Sequence, residues 1–162
     1  MDTQAAARLW LGLLAFLALA YAASAVGVLL QGDDVGARYL ALERPAWAPP
    51  SWLFGPVWTV LYACIGVAGW RIWRGAGTAR TASAALGLWG TQLAVNALWP
   101  GVFFGAEALG AGLAVILVLD ALVIATILAA RRHDHLAAWL LAPYLVWILY
   151  ATALNAALWG AS

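Results

Sequence analysis

Five stretches of this chain are nearly free of charge, and each is long enough to cross a lipid bilayer. Residues 9–30, 52–70, 81–104 and 136–159 contain no charged side chain, and 108–130 contains only Asp120. A helix spans the hydrocarbon with about 20 apolar residues. The runs are continuous and do not alternate every second residue, so they read as helices and not as barrel strands. The expectation is an all-α integral membrane protein with helices at about 9–30, 52–73, 81–104, 108–130 and 136–159. The whole chain, 1–162, reads as a single membrane domain.

The chain is 66% hydrophobic and 9% charged. A soluble domain runs about 45–50% apolar and about 25% charged. So few charges cannot cover a water-facing surface, which argues against a soluble enzyme and against disorder. A net charge of +1 offers no footprint for nucleic acid. Its eight cations are all Arg, which together with the Ala and Gly content points to a bacterial source. Cys64 is the only cysteine, so neither an intrachain disulfide nor a cysteine zinc site is available.

Arg8 before the first run and Ala23-Ser24-Ala25 within it imitate a signal peptide. The apolar stretch continues past that triplet, so a retained helix is expected. With five spans, Arg8, Arg71, Arg74, Arg80, Arg131 and Arg132 share one side, against Arg38 and Arg44 on the other. The positive-inside rule then places the N-terminus in the cytoplasm and the C-terminus outside. The longest connection, 31–51, falls on the outer side. Pro49 and Pro50 stiffen it beside Trp47 and Trp52, two rings that favour burial. An ordered loop acting as a pocket lid is expected there, with Arg38, Arg44, Pro49 and Pro50 as lid residues.

Three aromatic stripes run along the helices. Phe54, Trp58 and Tyr62 recur every four residues. Trp89, Gln92, Asn96, Trp99 and Phe103 recur at alternating three and four. Tyr144, Trp147, Ala151 and Asn155 follow similar spacing. An unpaired amide in hydrocarbon costs several kcal/mol, so Gln92, Asn96 and Asn155 should face inward and carry their stripes with them. Two readings follow. The stripes line an aromatic cavity for a large, flat, mostly apolar molecule, or the rings fill the core and the amides bond across helices. Eleven tryptophans are poor material for tight helix packing, which favours the cavity.

Gly66 and Gly69, the row Ser83, Gly87, Thr91 with Gly90 and Ala94, and Gly110 and Gly112 let backbones approach closely. A dimer through the third span is expected from that row. Asp120 is a functional candidate by its depth, or else a hydrogen-bonded group at a helix contact. His133 and His135, two residues apart in a loop, read as solvated and not as metal ligands.

Certain segments resemble a known family. They are Trp47-Ala48-Pro49-Pro50 followed by Trp52, Phe54, Trp58 and Tyr62; Asn96-Ala97-Leu98-Trp99 followed by Phe103-Phe104-Gly105; and Pro143-Tyr144-Leu145-Val146-Trp147 ending in Leu154-Asn155. In order and spacing they resemble the TspO/MBR family of tryptophan-rich sensory proteins, translocator proteins and peripheral-type benzodiazepine receptors. The resemblance covers all five spans. It implies a five-helix bundle, commonly dimeric, whose pocket is closed by the first loop. It implies binding of porphyrins, haem-type tetrapyrroles and isoquinoline or benzodiazepine ligands, with no obligatory cofactor and no metal. Carried over, the ligand-binding residues are Trp47, Phe54, Trp58, Tyr62, Asn96, Trp99, Phe103, Trp147 and Ala151. Trp58 and Trp147 match tryptophans linked to light-dependent porphyrin breakdown. Three departures stand out. Ala46 and Arg38 replace aromatics found in relatives, and Tyr150 has no following Lys or Arg, so the C-terminal sterol pattern is missing.

The leading expectation is a membrane sensor or carrier of tetrapyrroles, with flat rings against indoles and Arg38 or Arg44 meeting propionates. A porphyrin-degrading activity through Trp58 and Trp147 is the enzymatic alternative; no GxSxG or HExxH motif supports ordinary hydrolysis. A lipid or sterol-like transporter is the third, though no inverted halves are visible. The partners expected are a flat apolar small molecule, membrane lipid and a second copy of the chain. Inner versus outer membrane stays open.

Overall fold

The computed structural model describes residues 3–75 and 79–161, without the side chains of Ala5 and of 79–83. Arg80, counted in the charge asymmetry, and Ser83 of the small-residue row lie outside the described side chains. Among the described residues the protein is all helical. It contains α1 (Thr3–Gln31), α2 (Val35–Ala41), α3 (Phe54–Gly75), α4 (Ala79–Pro100), α5 (Leu109–Ala130) and α6 (His135–Ala161). A 3₁₀ turn, Ser51–Leu53, leads into α3, and a π-helical turn, Gly101–Gly105, follows α4.

Among the described residues, four stretches are long and apolar enough to cross a membrane: Ala6–Gln31, Ser51–Gly75, Leu109–Ala130 and His135–Ala161. The sequence-based boundaries hold to within a few residues at most ends, with two differences. The third run ends as an α-helix at Pro100 and not at residue 104, because the chain widens into the π turn there. The 31–51 connection is not plain loop, because α2 occupies its middle.

The five long helices form a closed ring in the order α1, α3, α6, α5, α4 and back to α1, with α3 and α4 also touching across it. Close approach is local and residue-specific. A Cβ on Gly66 would lie 3.0 Å from the Leu17 Cα, so α1 and α3 meet backbone to backbone there. A Cβ on Gly69 would lie 2.5 Å from the Trp89 ring, which therefore needs that glycine as its seat. Gly87 and Gly90 have open space instead, and Gly87, Thr91 and Ala94 are exposed, so this row faces out of the bundle. The outer surface is apolar: Leu29 is 79% exposed, and Trp10, Leu117 and Val146 are also on the outside. Only lipid gives such a surface a favourable solvent.

The two ends of the ring differ. At one end Arg71 pairs with Asp134 at 2.8 Å, and Trp70 donates from Nε1 to the Leu9 carbonyl at 3.1 Å. This gathers Arg8, Arg71, Arg74, Arg131 and Arg132 at one end, as the charge count requires. At the other end α2 and the 42–50 segment lie over α3 and the π turn. Among the described residues no three His, Cys, Asp or Glu side chains converge as a metal site.

Asp134 starts α6 as its cap, its Oδ1 accepting from the Leu136 and Ala137 amides at 2.8 and 3.1 Å. Burial opposes its ionisation, but the Arg71 hydrogen bond, the Ala137 amide, the Arg71 charge and the Leu136 amide outweigh it, and its carboxyl is held below 3.8. A lowered carboxyl stabilises the fold above its unfolded value and loses that contribution as pH falls through the folded one. Asp134→Ala should therefore cost about 0.5–2 kcal/mol near neutral pH, as loss of a cap does. The gap between variant and wild type should narrow as pH falls below the ordinary carboxylate value. Thermal unfolding in detergent across pH reads both, and a gap independent of pH would remove the ionised carboxylate from the account.

Candidate functional site

The amides of α4 turn inward, and their first partners are other helices. Tyr62 on α3 donates from Oη to the Asn96 Oδ1. Asn96 Nδ2 donates to the Tyr144 hydroxyl on α6 at 2.9 Å, and that hydroxyl donates to Gln92 Oε1 at 2.9 Å. Gln92 Nε2 then donates to the Trp89 carbonyl at 2.9 Å, and Trp89 Nε1 to the Ile65 carbonyl at 2.9 Å. All five side chains are buried. One chain of hydrogen bonds thus ties α3, α4 and α6 together through the centre of the ring, which is the glue reading of these amides. Asn155 is also inward, donating from Nδ2 to the Leu109 carbonyl at 2.8 Å.

The aromatic stripe of α3 does face open space. Phe54, Trp58 and Tyr62 line a cavity of about 320 Å³ together with Tyr21, Ser24 and Gln31 of α1 and Asn96 and Pro100 of α4. It is a groove lined mainly by α1 and α3. A second cavity of about 170 Å³ lies beneath α2, lined by Phe54, Trp58, Trp99, Pro100 and Phe104 with Tyr39 and Val35 of α2 above. The two share Gln31, Phe54, Trp58 and Pro100, so Phe54 and Trp58 face both the groove and the chamber. Trp58 packs its ring 5.4 Å from Tyr62 and 6.2 Å from Tyr144, so the wall of the cavity rests on the hydrogen-bonded centre.

Of the nine residues expected to line one pocket, Phe54, Trp58, Tyr62, Asn96 and Trp99 are brought together around these cavities. Trp147 is one ring away, edge-on to Phe54 at 5.9 Å, and its Nε1 is buried without a hydrogen-bond partner. Ala151 is buried in the main apolar core. Phe103 stacks on Trp99 at 4.9 Å but belongs to a second cluster with Tyr39, Phe104, Leu154 and Leu158, behind the chamber wall.

Trp47 differs from its expectation. It is 48% exposed, its ring edge-on to Tyr150 at 5.7 Å, and its carbonyl accepts from the Tyr150 hydroxyl at 2.7 Å. Trp52 is 70% exposed. An indole at a boundary between apolar and polar surroundings is favourable without full burial, so the prolines beside these rings do not drive them inward.

The connection is pinned by other residues. Tyr39 is buried, stands edge-on to Phe54 at 5.3 Å, and donates to the Pro49 carbonyl at 2.7 Å. Pro49 is buried, and Pro50 continues in extended backbone into α3. Arg38 does not point a free guanidinium at the cavity. Its Nη1 donates to the Phe104 carbonyl at 2.8 Å, and its Nε lies 3.8 Å from Glu107. Arg44 sits over the Tyr39 ring at 5.0 Å. Tyr39, Tyr21 and Pro100 are among the site residues that spacing did not reveal. Tyr39 carried one signal, an aromatic residue in the stretch between the charged pairs Asp33-Asp34 and Glu43-Arg44.

Asp120 of α5 has a hydrogen-bonded place at a helix contact: Thr152 Oγ1 of α6 donates to its Oδ2 at 2.8 Å, and it lines neither of the two cavities.

A profile of the TspO/MBR family matches residues 13–160. The tryptophan-rich protein TspO of Archaeoglobus fulgidus is 40% identical over 161 residues, covering 94% of this chain and 95% of the relative. The tryptophan-rich sensory protein of Cereibacter sphaeroides is 38% identical over 146 residues, 90% of this chain and 88% of its own. The human translocator protein is 40% identical over 122 residues, 75% of this chain and 72% of its own.

Tyr144→Phe removes the hydroxyl that both accepts from Asn96 and donates to Gln92. A buried polar group left unpaired costs about 1–3 kcal/mol, so this variant should unfold at a clearly lower temperature than wild type. Tyr62→Phe unpairs Asn96 Oδ1 alone and should cost less. Circular dichroism melts in detergent give the order; equal midpoints for Tyr144→Phe and wild type would take the network out of the stability of the bundle.

Proposed function

The chain belongs to the TspO/MBR family of membrane proteins, and from that premise we propose that it is a membrane receptor or sensor for porphyrins and related tetrapyrroles. The observation that supports this reading is the chamber under α2, walled by Phe54, Trp58 and Trp99, beside a groove that shares Phe54 and Trp58 with it. The groove alone reaches the lower end of the ~300–1,000 Å³ usual for small-molecule sites. A flat conjugated ring slides between indole and phenyl faces, while polar edges meet Ser24 and Gln31 at the groove. Isoquinoline and benzodiazepine-type ligands have the same flat apolar shape and belong to the same class.

In this reading the membrane carries five crossings. α4 supplies the fifth: 22 residues rise roughly 33 Å, about the thickness of the hydrocarbon. Segment 31–51 is the lid, with α2 and Tyr39 closing the chamber and Arg38, Arg44, Pro49 and Pro50 holding it. The arginine-rich end faces the cytoplasm, as does the N-terminus, and the lid faces outside. The outward row Gly87, Gly90, Thr91 and Ala94 on α4 is the seam of a homodimer. The family relatives are named for sensing and translocation, and both roles require a ligand held reversibly within the bilayer.

Light-dependent degradation of the bound porphyrin is the second reading, carried by Trp58 in the cavity wall and by Trp147, whose indole N–H is buried and unpartnered. One experiment separates the two. Quenching of tryptophan fluorescence by protoporphyrin IX in the dark should saturate for wild type. Trp58→Ala should weaken it by up to about tenfold, the worth of a good aromatic contact, and Trp47→Ala should leave it unchanged. Under light, loss of the porphyrin spectrum in wild type but not in Trp58→Phe/Trp147→Phe assigns the second activity. Dark quenching that never saturates would overturn the tetrapyrrole site.

A further inference from the structure

At the arginine-rich end, away from the chamber, the last turn of α5 and the first two turns of α6 enclose a recess of about 290 Å³. It is lined by Ile127, Arg131, His135, Ala138, Trp139 and Ala142. Two helical faces build it. On α5, Ile127 and Arg131 are one turn apart; on α6, His135, Ala138, Trp139 and Ala142 follow the i, i+3, i+4, i+7 pattern of one face. The tight turn 131–134, closed by the His133 and Asp134 amides on the Ala130 carbonyl at 2.9 and 2.8 Å, brings the Arg131 guanidinium and the His135 imidazole together at the mouth. The walls below them are apolar.

The charges here are unbalanced. Arg71 is paired with Asp134, and Arg74 lies over the Trp70 ring at 4.5 Å. Arg131 is exposed and makes no side-chain hydrogen bond or ion pair among the described residues, and the same holds for Arg132 and His135. Asp134, the one carboxylate of this turn, is committed to Arg71 and to two backbone amides. Trp139 is 74% exposed, an indole on the outer surface one turn below His135. A cationic mouth, an apolar trough running along the helix axis, and an indole beside it match a molecule with a negative head and a hydrocarbon tail. A free phosphate would use the mouth and leave the trough empty.

We propose that this recess binds one anionic phospholipid, its phosphate held by Arg131 and His135 and an acyl chain laid along Ile127, Ala138, Trp139 and Ala142. Hydrogen bonds from a guanidinium to a phosphate are short and charge-assisted, and the interface is where an indole and an arginine are both stable. The bound lipid would lock the α5–α6 hairpin at the end opposite the chamber. The zwitterionic headgroup is disfavoured because no free carboxylate among the described residues lies at the mouth to meet a trimethylammonium group.

Native mass spectrometry of the intact detergent-solubilised protein tests this with phosphatidylglycerol and phosphatidylcholine of identical chains. Wild type should retain one phosphatidylglycerol in preference to phosphatidylcholine. Arg131→Gln should weaken that retention about fivefold, the worth of one basic side chain at an anionic surface. Arg132→Gln removes the same charge one residue away, outside the recess, and should retain lipid as wild type does. Ala142→Leu fills the trough without touching a charge and should also lose the lipid, which a phosphate-only site would not. Excess inorganic phosphate should fail to displace the lipid. Circular dichroism of each variant confirms that the bundle is intact. Equal retention of the two lipids, equal losses in Arg131→Gln and Arg132→Gln, or unchanged retention in Ala142→Leu would each overturn the proposal.

Discussion

The hydrogen-bond chain from Tyr62 through Asn96, Tyr144 and Gln92 to the Trp89 carbonyl is what the remainder of the bundle is arranged around. Apolar helices in lipid gain little from hiding Leu from lipid tails, so packing and polar contacts decide which faces meet. Here α3, α4 and α6 are registered by four side chains whose donors and acceptors fit in only one arrangement. Rotating α4 by one residue would aim its amides about 100° away and leave them unpaired in hydrocarbon. The network therefore fixes the helix faces, and with them the direction in which Phe54 and Trp58 look. The cavity is open because the amides beside it are already satisfied and do not pull its walls together.

The same logic explains how much of the molecule was legible in the sequence. Helix positions were legible because lack of charge over 20 residues has one structural meaning in a chain of this composition. Inward faces were legible because Gln92, Asn96 and Asn155 cannot point at lipid, and all three are buried. Their partners were not legible, because an amide's need for a hydrogen bond does not say whether a ligand or a tyrosine supplies it. Tyr144 was visible as part of a stripe, yet its role as the hub depends on α6 lying across the ring from α4, which is a property of topology and not of spacing.

The polar connections were the least legible. α2 has seven residues and begins after Asp34, which sits in the left-handed region at φ 61° and makes no side-chain cap. Val35, Tyr39 and Leu42 share a helical spacing, but one turn or two of it does not mark out a helix; contact with Phe54 and the 42–50 segment holds it. Trp47 illustrates the opposite error. A tryptophan beside prolines invites a buried reading, but at a boundary between apolar and polar surroundings a half-exposed indole is already satisfied, and the Tyr150 ring is enough to anchor it.

Two features of the sequence, Arg38 and the Pro100-Gly101 step, meet at one point in the fold. α4 runs into Pro100 and widens into a π turn, with the Ala106 amide bonding the Gly101 carbonyl at 2.8 Å. Glu107 then reverses the backbone at φ 53°. The Phe104 carbonyl near the end of that turn accepts from Arg38. A ring at that position would hold the connection by apolar contact, which slides. Arg38 holds it by a directional bond to a carbonyl and by the Glu107 carboxylate 3.8 Å from its Nε. Residue 38 and the π turn thus form one latch. The position of α2 over Phe54 and Trp58 rests on this latch together with the Tyr39 contacts to Phe54 and Pro49.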